Sequence, residues 1–166
     1  MHAIICADVM RLVPVLAVST VLTGVLGPAA PARTATHSMV IRLISKNSVV
    51  SFVDTEPKGK PNAGDRITTT STLRNQVAQF GKRAGALVGH DRASVKLLSA
   101  TAYETHGYAV LPGGRIRFGG RASSARSAGS IAVTGGTGRF AQVRGTVYAK
   151  DLKDSLAVNV YRLTLP

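Results

Sequence analysis

The chain has 166 residues, with 21 Lys and Arg against 8 Asp and Glu, one cysteine, four histidines and no tryptophan. That size fits one domain behind a short leader. Cys6 alone gives no disulfide framework or thiolate metal site, and His2, His37, His90 and His106 lack ligand spacing, so neither metal nor cofactor is expected.

The first segment to set aside is the N-terminal one. Arg11 precedes the uncharged apolar run Leu12 to Gly27, and "PAAPAR" places Ala30 and Ala32 in a small-x-small cleavage signal. Residues 1–32 therefore read as a secretory signal peptide cut near Ala32, predicting a secreted or cell-envelope protein. The run is shorter than the roughly 20 residues that span a bilayer. Asp8 ahead of Arg11 is untypical of a leader and fits initiation at Met10. Removing the leader takes away Arg11 and Asp8 together, so the net charge of +13 is unchanged. Such a surface favours polyanions, and weak association with anionic envelope polymers follows from it. The cations lie on many segments, without a basic helix or aromatic interleaving, so no specific nucleic-acid partner is expected.

Residues 33–38 read as a flexible lead-in, and 39–166 as the folded domain. Short runs rich in Val, Ile, Thr and Tyr follow, broken by Gly, Pro, Asn and Asp at strand-and-turn spacing. "VIRLI" and "SVVSFVDT" come first, and "EPKGKPNAGD" is a loop in which Gly64 and Asp65 start the next strand. "RITTTSTLRN" has β-branched residues suited to a pleated surface. "GALVGHD", "SVKLLSATAYE" and "HGYAVL" read as strands, and "PGG" joins the last to "RIRFGG" as a hairpin. "GSIAVT", "QVRGTVYAK" and "DSLAVNVYRLTLP" complete the set, with a single helical turn predicted at "TGRFAQ". Asp151 and Asp154 belong to a hairpin loop. About eight strands and no long helix predict an all-β fold, and closure into an antiparallel barrel removes the exposed edges of an open sheet.

The stretch "VTGGTGRFAQVRG", Val133 to Gly145, has the glycines of a dinucleotide-binding loop. A helix and a second parallel strand must then follow. Instead Val143, Gly145, Val147 and Ala149 alternate with Arg144, Thr146, Tyr148 and Lys150, the period of a strand. The glycines are read as a tight connection between antiparallel strands.

The order "GDRITTTSTLRNQ...AQFGKRAGALVG", "LPGGRIRFGGR" and "SIAVTGGTGRFAQVRGTV" resembles the allene oxide cyclase and dirigent barrel superfamily, from about Phe52 to Leu165. Its most specific part is Gly135-Gly136-Thr137-Gly138, Phe140 and Arg144-Gly145. The resemblance implies an eight-stranded antiparallel, calycin-like β-barrel with a hydrophobic pocket, often assembled as a dimer or trimer. It implies a hydrophobic or phenolic small-molecule partner, and activity that guides phenoxy-radical coupling or cyclises a reactive epoxide. By the same resemblance Asp54 and Arg144 are the catalytic pair, a carboxylate to move a proton and a guanidinium to hold developing negative charge. The readings of the residues alone are a strand-end aspartate bound to loop amides and a surface arginine. Thr146 and Tyr148 share a face with Arg144 and are candidate ligand contacts, while Tyr148 equally suits a subunit contact. Phe52 and Ser71 are candidate ligand contacts by position, but stand where plant allene oxide cyclases have a carboxylate and an amide. Arg139 stands where dirigent proteins often have an acid. Two functions follow: a barrel that binds a small molecule and guides its cyclisation or coupling, and a non-catalytic exported binding or envelope protein with a filled barrel and a basic surface.

Overall fold

The computed structural model describes residues 36–123 and 128–166. The expected signal peptide, Cys6 and the start of the lead-in lie outside the described residues. Eight strands follow one another: β1 (His37–Val53), β2 (Arg66–Asn75), β3 (Leu87–Leu97), β4 (Ala102–Leu111), β5 (Gly114–Ser123), β6 (Ala128–Gly138), β7 (Arg144–Asp151) and β8 (Leu156–Leu165). Each pairs antiparallel with the next, and β1 pairs with β8, so the sheet is the expected closed barrel.

Several boundaries differ from the sequence reading. "VIRLI" and "SVVSFVDT" form one strand, β1, because Lys46 is paired on both sides, with Thr72 and with Leu156. Its ladder with β2 has a register shift between Val49 and Ser51; such bulges increase local twist and help a sheet curve into a barrel. "SVKLLSATAYE" is two strands, since Leu98 N and Ser99 N both donate to the Ala102 carbonyl and turn the chain. "TGRFAQ" forms turns without a helix, closed by Phe140 N to Thr137 O (3.1 Å) and Ala141 N to Gly138 O (3.0 Å).

Alternation along the strands divides lumen from exterior. On β8, Ala157, Asn159, Tyr161 and Leu163 point inward and are buried. The barrel end formed by the β4–β5 and β6–β7 turns is filled by Ile41, Leu43, Leu73, Leu111, Ile116, Val133, Val143 and Leu163. Phe140, carried by the β6–β7 turn, is fully buried among them. An eight-stranded barrel has room for little more than its own side chains or one small ligand.

The glycine-rich stretch supplies this turn. Gly138 has φ +61°, and a Cβ on Gly136 would collide with the carbonyl oxygens of Phe140 and Arg115. The glycines therefore allow a reversal and a close approach of backbones.

Candidate functional site

The other half of the barrel is open. Above the apolar floor lies a cavity of about 370 Å³, within the range of small-molecule sites. The expected filled barrel thus describes one half of the lumen and the open pocket the other. The wall combines apolar Val95, Phe118 and Ile131 with polar Ser45, Asn47, Ser71, Asp91, Thr105 and Asn159. Strand parity selects them: on β2 Thr69 and Ser71 face in while Thr68, Thr70 and Thr72 face out, and on β3 Asp91, Ala93 and Val95 face in while Arg92 and Ser94 face out.

Asn47, Ser71 and Asp91 stand directly opposite one another across β1, β2 and β3. The Ser71 hydroxyl donates to Asn47 Oδ1 at 2.9 Å. On the other side Asn159 Nδ2 donates to Ser45 Oγ at 3.0 Å, and Ser45 Oγ donates to the Ala157 carbonyl at 3.4 Å. Asp91 is only 8 % exposed. Burial raises its carboxyl pKa above the ordinary value, outweighing the Ser71 hydroxyl and the nearby His90, which oppose the shift. Tyr161 is fully buried, and burial together with the Asp91 charge holds its phenol in the neutral form. Nearer the mouth, Tyr103 is pushed the same way by burial and by the Asp151 carboxylate. The lumen therefore holds a buried carboxyl that keeps its proton more tightly than an exposed one, and that donates a hydrogen bond when protonated.

Ser71 is the predicted contact that lines this cavity. Phe52 pairs with Ile67, beyond the start of β8, and lies 55 % exposed at the rim. Asp54 follows β1, where its Oδ2 accepts from Gly59 N at 2.9 Å and its Oδ1 is buried without a hydrogen-bond partner. That is the strand-end aspartate bound to a loop amide.

Arg144 corrects the expectation of an inward pair. On β7, Val147, Ala149 and Asp151 face the lumen, so Arg144, Thr146 and Tyr148 necessarily face out. Arg144 Nη1 donates to the Thr134 and Val143 carbonyls at 3.3 and 3.1 Å. Thr146 and Tyr148 border a shallow outer groove with Ser130, Val160 and Arg162. Asp54 and Arg144 thus form no pair in the cavity. Asp91, Tyr103 and Asn47 were missed as site residues, and Asp151, read as a turn residue, lines the mouth. Asp91 carried a signal: it is the lone acid of β3, two residues after Gly89, in a strand whose other charged residues, Arg92 and Lys96, are basic.

Asp65 belongs to the structure of the mouth loop. Its carboxylate accepts from Thr55 N (2.9 Å), Asn62 N (3.0 Å) and Thr55 Oγ1 (2.8 Å). These bonds, the backbone ones first, lower its pKa against the opposing effect of burial. Among the described residues no group of three or more His, Cys, Asp or Glu is placed to hold a metal ion.

The fold is the closed barrel of dirigent proteins and of cyclases that include Diels-Alderases. The chain is similar to pyocyanin demethylase, at 21 % identity and a TM-score of 0.63 over 75 % of this chain and 99 % of that one. It is similar to the pterocarpan synthase dirigent protein GePTS1, at 16 % identity and a TM-score of 0.58, covering 79 % of this chain and 85 % of the other. It is also similar to AbnU, an exo-specific intermolecular Diels-Alderase, at 13 % identity and a TM-score of 0.62, covering 80 % and 100 %. No protein-family model and no curated protein matches the sequence.

Proposed function

We propose that the barrel binds a hydrophobic or phenolic small molecule in its open half and guides a cyclisation or coupling of that molecule. The observation that carries this reading is the 370 Å³ cavity with Asp91 buried in its wall. In its protonated form the Asp91 carboxyl donates a hydrogen bond to a carbonyl or phenolic oxygen of the ligand, and the apolar wall holds the carbon skeleton. As bonds form within the skeleton, electron density moves toward that oxygen and the Asp91 hydrogen bond strengthens. Catalysis is then positioning and electrostatic guidance, with no covalent intermediate on the protein. Asn47 and Ser71 orient the polar side of the ligand, and Phe52 at the rim covers its outer end. The similarity of fold to a dirigent protein and to cyclases supports the reading.

Export after removal of residues 1–32 belongs to the same proposal, supported by the apolar run and its small-x-small signal. The experiment is native mass spectrometry of the full chain with a panel of phenols and oxidised fatty acids at several pH values. Retention of one compound that weakens as pH rises through the Asp91 pKa is expected. In Asp91→Asn, whose amide donates at every pH, retention becomes independent of pH. A retained compound with the same pH profile in both proteins contradicts the role of Asp91, and a folded barrel that retains nothing contradicts the binding function.

A further inference from the structure

We infer that the outer wall carries a phosphate-binding site, built by Arg117 on β5 and Arg144 on β7, whose guanidinium groups cover the buried backbone of Gly135 on β6, and that it takes phosphate groups of a linear polyanion. Arg117 lies directly opposite Gly135 in the β5–β6 ladder. The point a Cβ would occupy on Gly135 is 3.4 Å from Arg117 Nη2 and 3.7 Å from Arg144 Nη1. Two guanidinium groups thus lean over the same residue from neighbouring strands. The φ of +149° at Gly135 favours glycine, so the space between them is kept clear of a side chain.

Two like charges brought this close repel unless an anion lies between them. No carboxylate supplies that charge. Among the described residues the one arginine in an ion pair is Arg121, which meets Glu104 at 3.9 Å. Arg144 spends Nη1 on the Thr134 and Val143 carbonyls, which fix its direction and leave Nε and Nη2 for a ligand. Forked donors from two sides match the oxygens of a phosphate group.

The surroundings select a chain of phosphates over a single ion. Arg92, Tyr108, Arg117 and Gly135 are successive cross-strand partners on β3 to β6. At about 4.8 Å between strands, Arg92 stands roughly 10 Å from Arg117 along this row. Arg115, on the same face as Arg117, stacks on Tyr108 with its guanidinium carbon 4.4 Å from the ring centroid, a contact that holds the charge near the row. The cations therefore continue in a line from the Gly135 site, on the outside of the barrel and apart from the lumen.

The test titrates the full chain with linear polyphosphate and, separately, with inorganic phosphate at constant ionic strength, read by calorimetry. Polyphosphate is expected to bind. The double variant Arg117→Lys/Arg144→Lys keeps every charge but loses the forks, and its affinity should fall by about tenfold or more. The control Arg66→Lys/Arg83→Lys makes the same exchange elsewhere and should leave affinity unchanged. Absence of binding, equal affinity in the Arg117/Arg144 variant, or an equal fall in the control overturns the site. Inorganic phosphate that binds as tightly as polyphosphate overturns the preference for a polymer. Matching thermal melts show that any loss reflects the site and not the fold.

Discussion

Phe140→Ala should destabilise the barrel strongly while leaving the open half of the lumen able to bind. The Phe140 side chain is fully buried and packs with the floor cluster, below the polar wall of the cavity. Truncation removes the whole ring from a region whose walls are hydrogen-bonded strands in a closed sheet. Such walls cannot collapse inward, so the hole persists and the loss lies in the range of about 3–5 kcal/mol measured for Phe→Ala in cores. For a domain of this size that corresponds to a fall of roughly 10–20 °C in Tm. Guanidinium unfolding followed by circular dichroism measures it, alongside ligand retention below the transition. A loss under about 1 kcal/mol would refute the floor, because surface substitutions stay within that size. Loss of ligand retention by the folded variant would refute the separation of floor and cavity.

The remaining predictions concern charge and backbone. Asp91 has a raised pKa in the folded state, so the fold binds its proton more tightly than the unfolded chain. Stability from this group therefore falls as pH rises from the ordinary 3.8 through the folded value. Asp91→Asn should remove that slope and raise stability at neutral pH, as urea unfolding across pH would show. Asp65 is the opposite case: its folded pKa is lowered, so its contribution is present above 3.8 and disappears as pH falls through the folded value. Asp65→Asn should lower stability at neutral pH and change it little in acid, measured by the same titration. Arg144→Ala should shift stability by less than about 0.5 kcal/mol and leave lumen binding unchanged, because its side chain is outside. Gly145→Ala should not fold, since its φ is +146° and a Cβ would strike the Arg162 carbonyl; soluble expression and circular dichroism check this.

The barrel was legible because alternation and turn residues are local properties that repeat along the chain. The final strand shows this: Ala157, Asn159, Tyr161 and Leu163 turn inward with the period seen in the sequence. The break within "SVKLLSATAYE" was not legible, because it depends on the Ala102 carbonyl accepting two amides and no glycine or proline marks it. The site was harder to read for a geometric reason. Parity states which residues share a face but not which face is the lumen. Arg144, Thr146 and Tyr148 were correctly grouped and belong outside. Asp91 and Ser71 are 20 positions apart in sequence and become neighbours through the β2–β3 register alone. The height of a residue in the barrel was equally hidden, which is why Phe52 lies at the rim and not within the cavity.

The most direct test of the account is the crystal structure of the protein with a compound it retains. The ligand is expected in the open half of the lumen, with one oxygen about 2.5–3.0 Å from the Asp91 carboxyl and its skeleton against Val95, Phe118 and Ile131. A ligand seated in the outer groove beside Tyr148, or in the lumen with no polar atom toward Asp91, would contradict it.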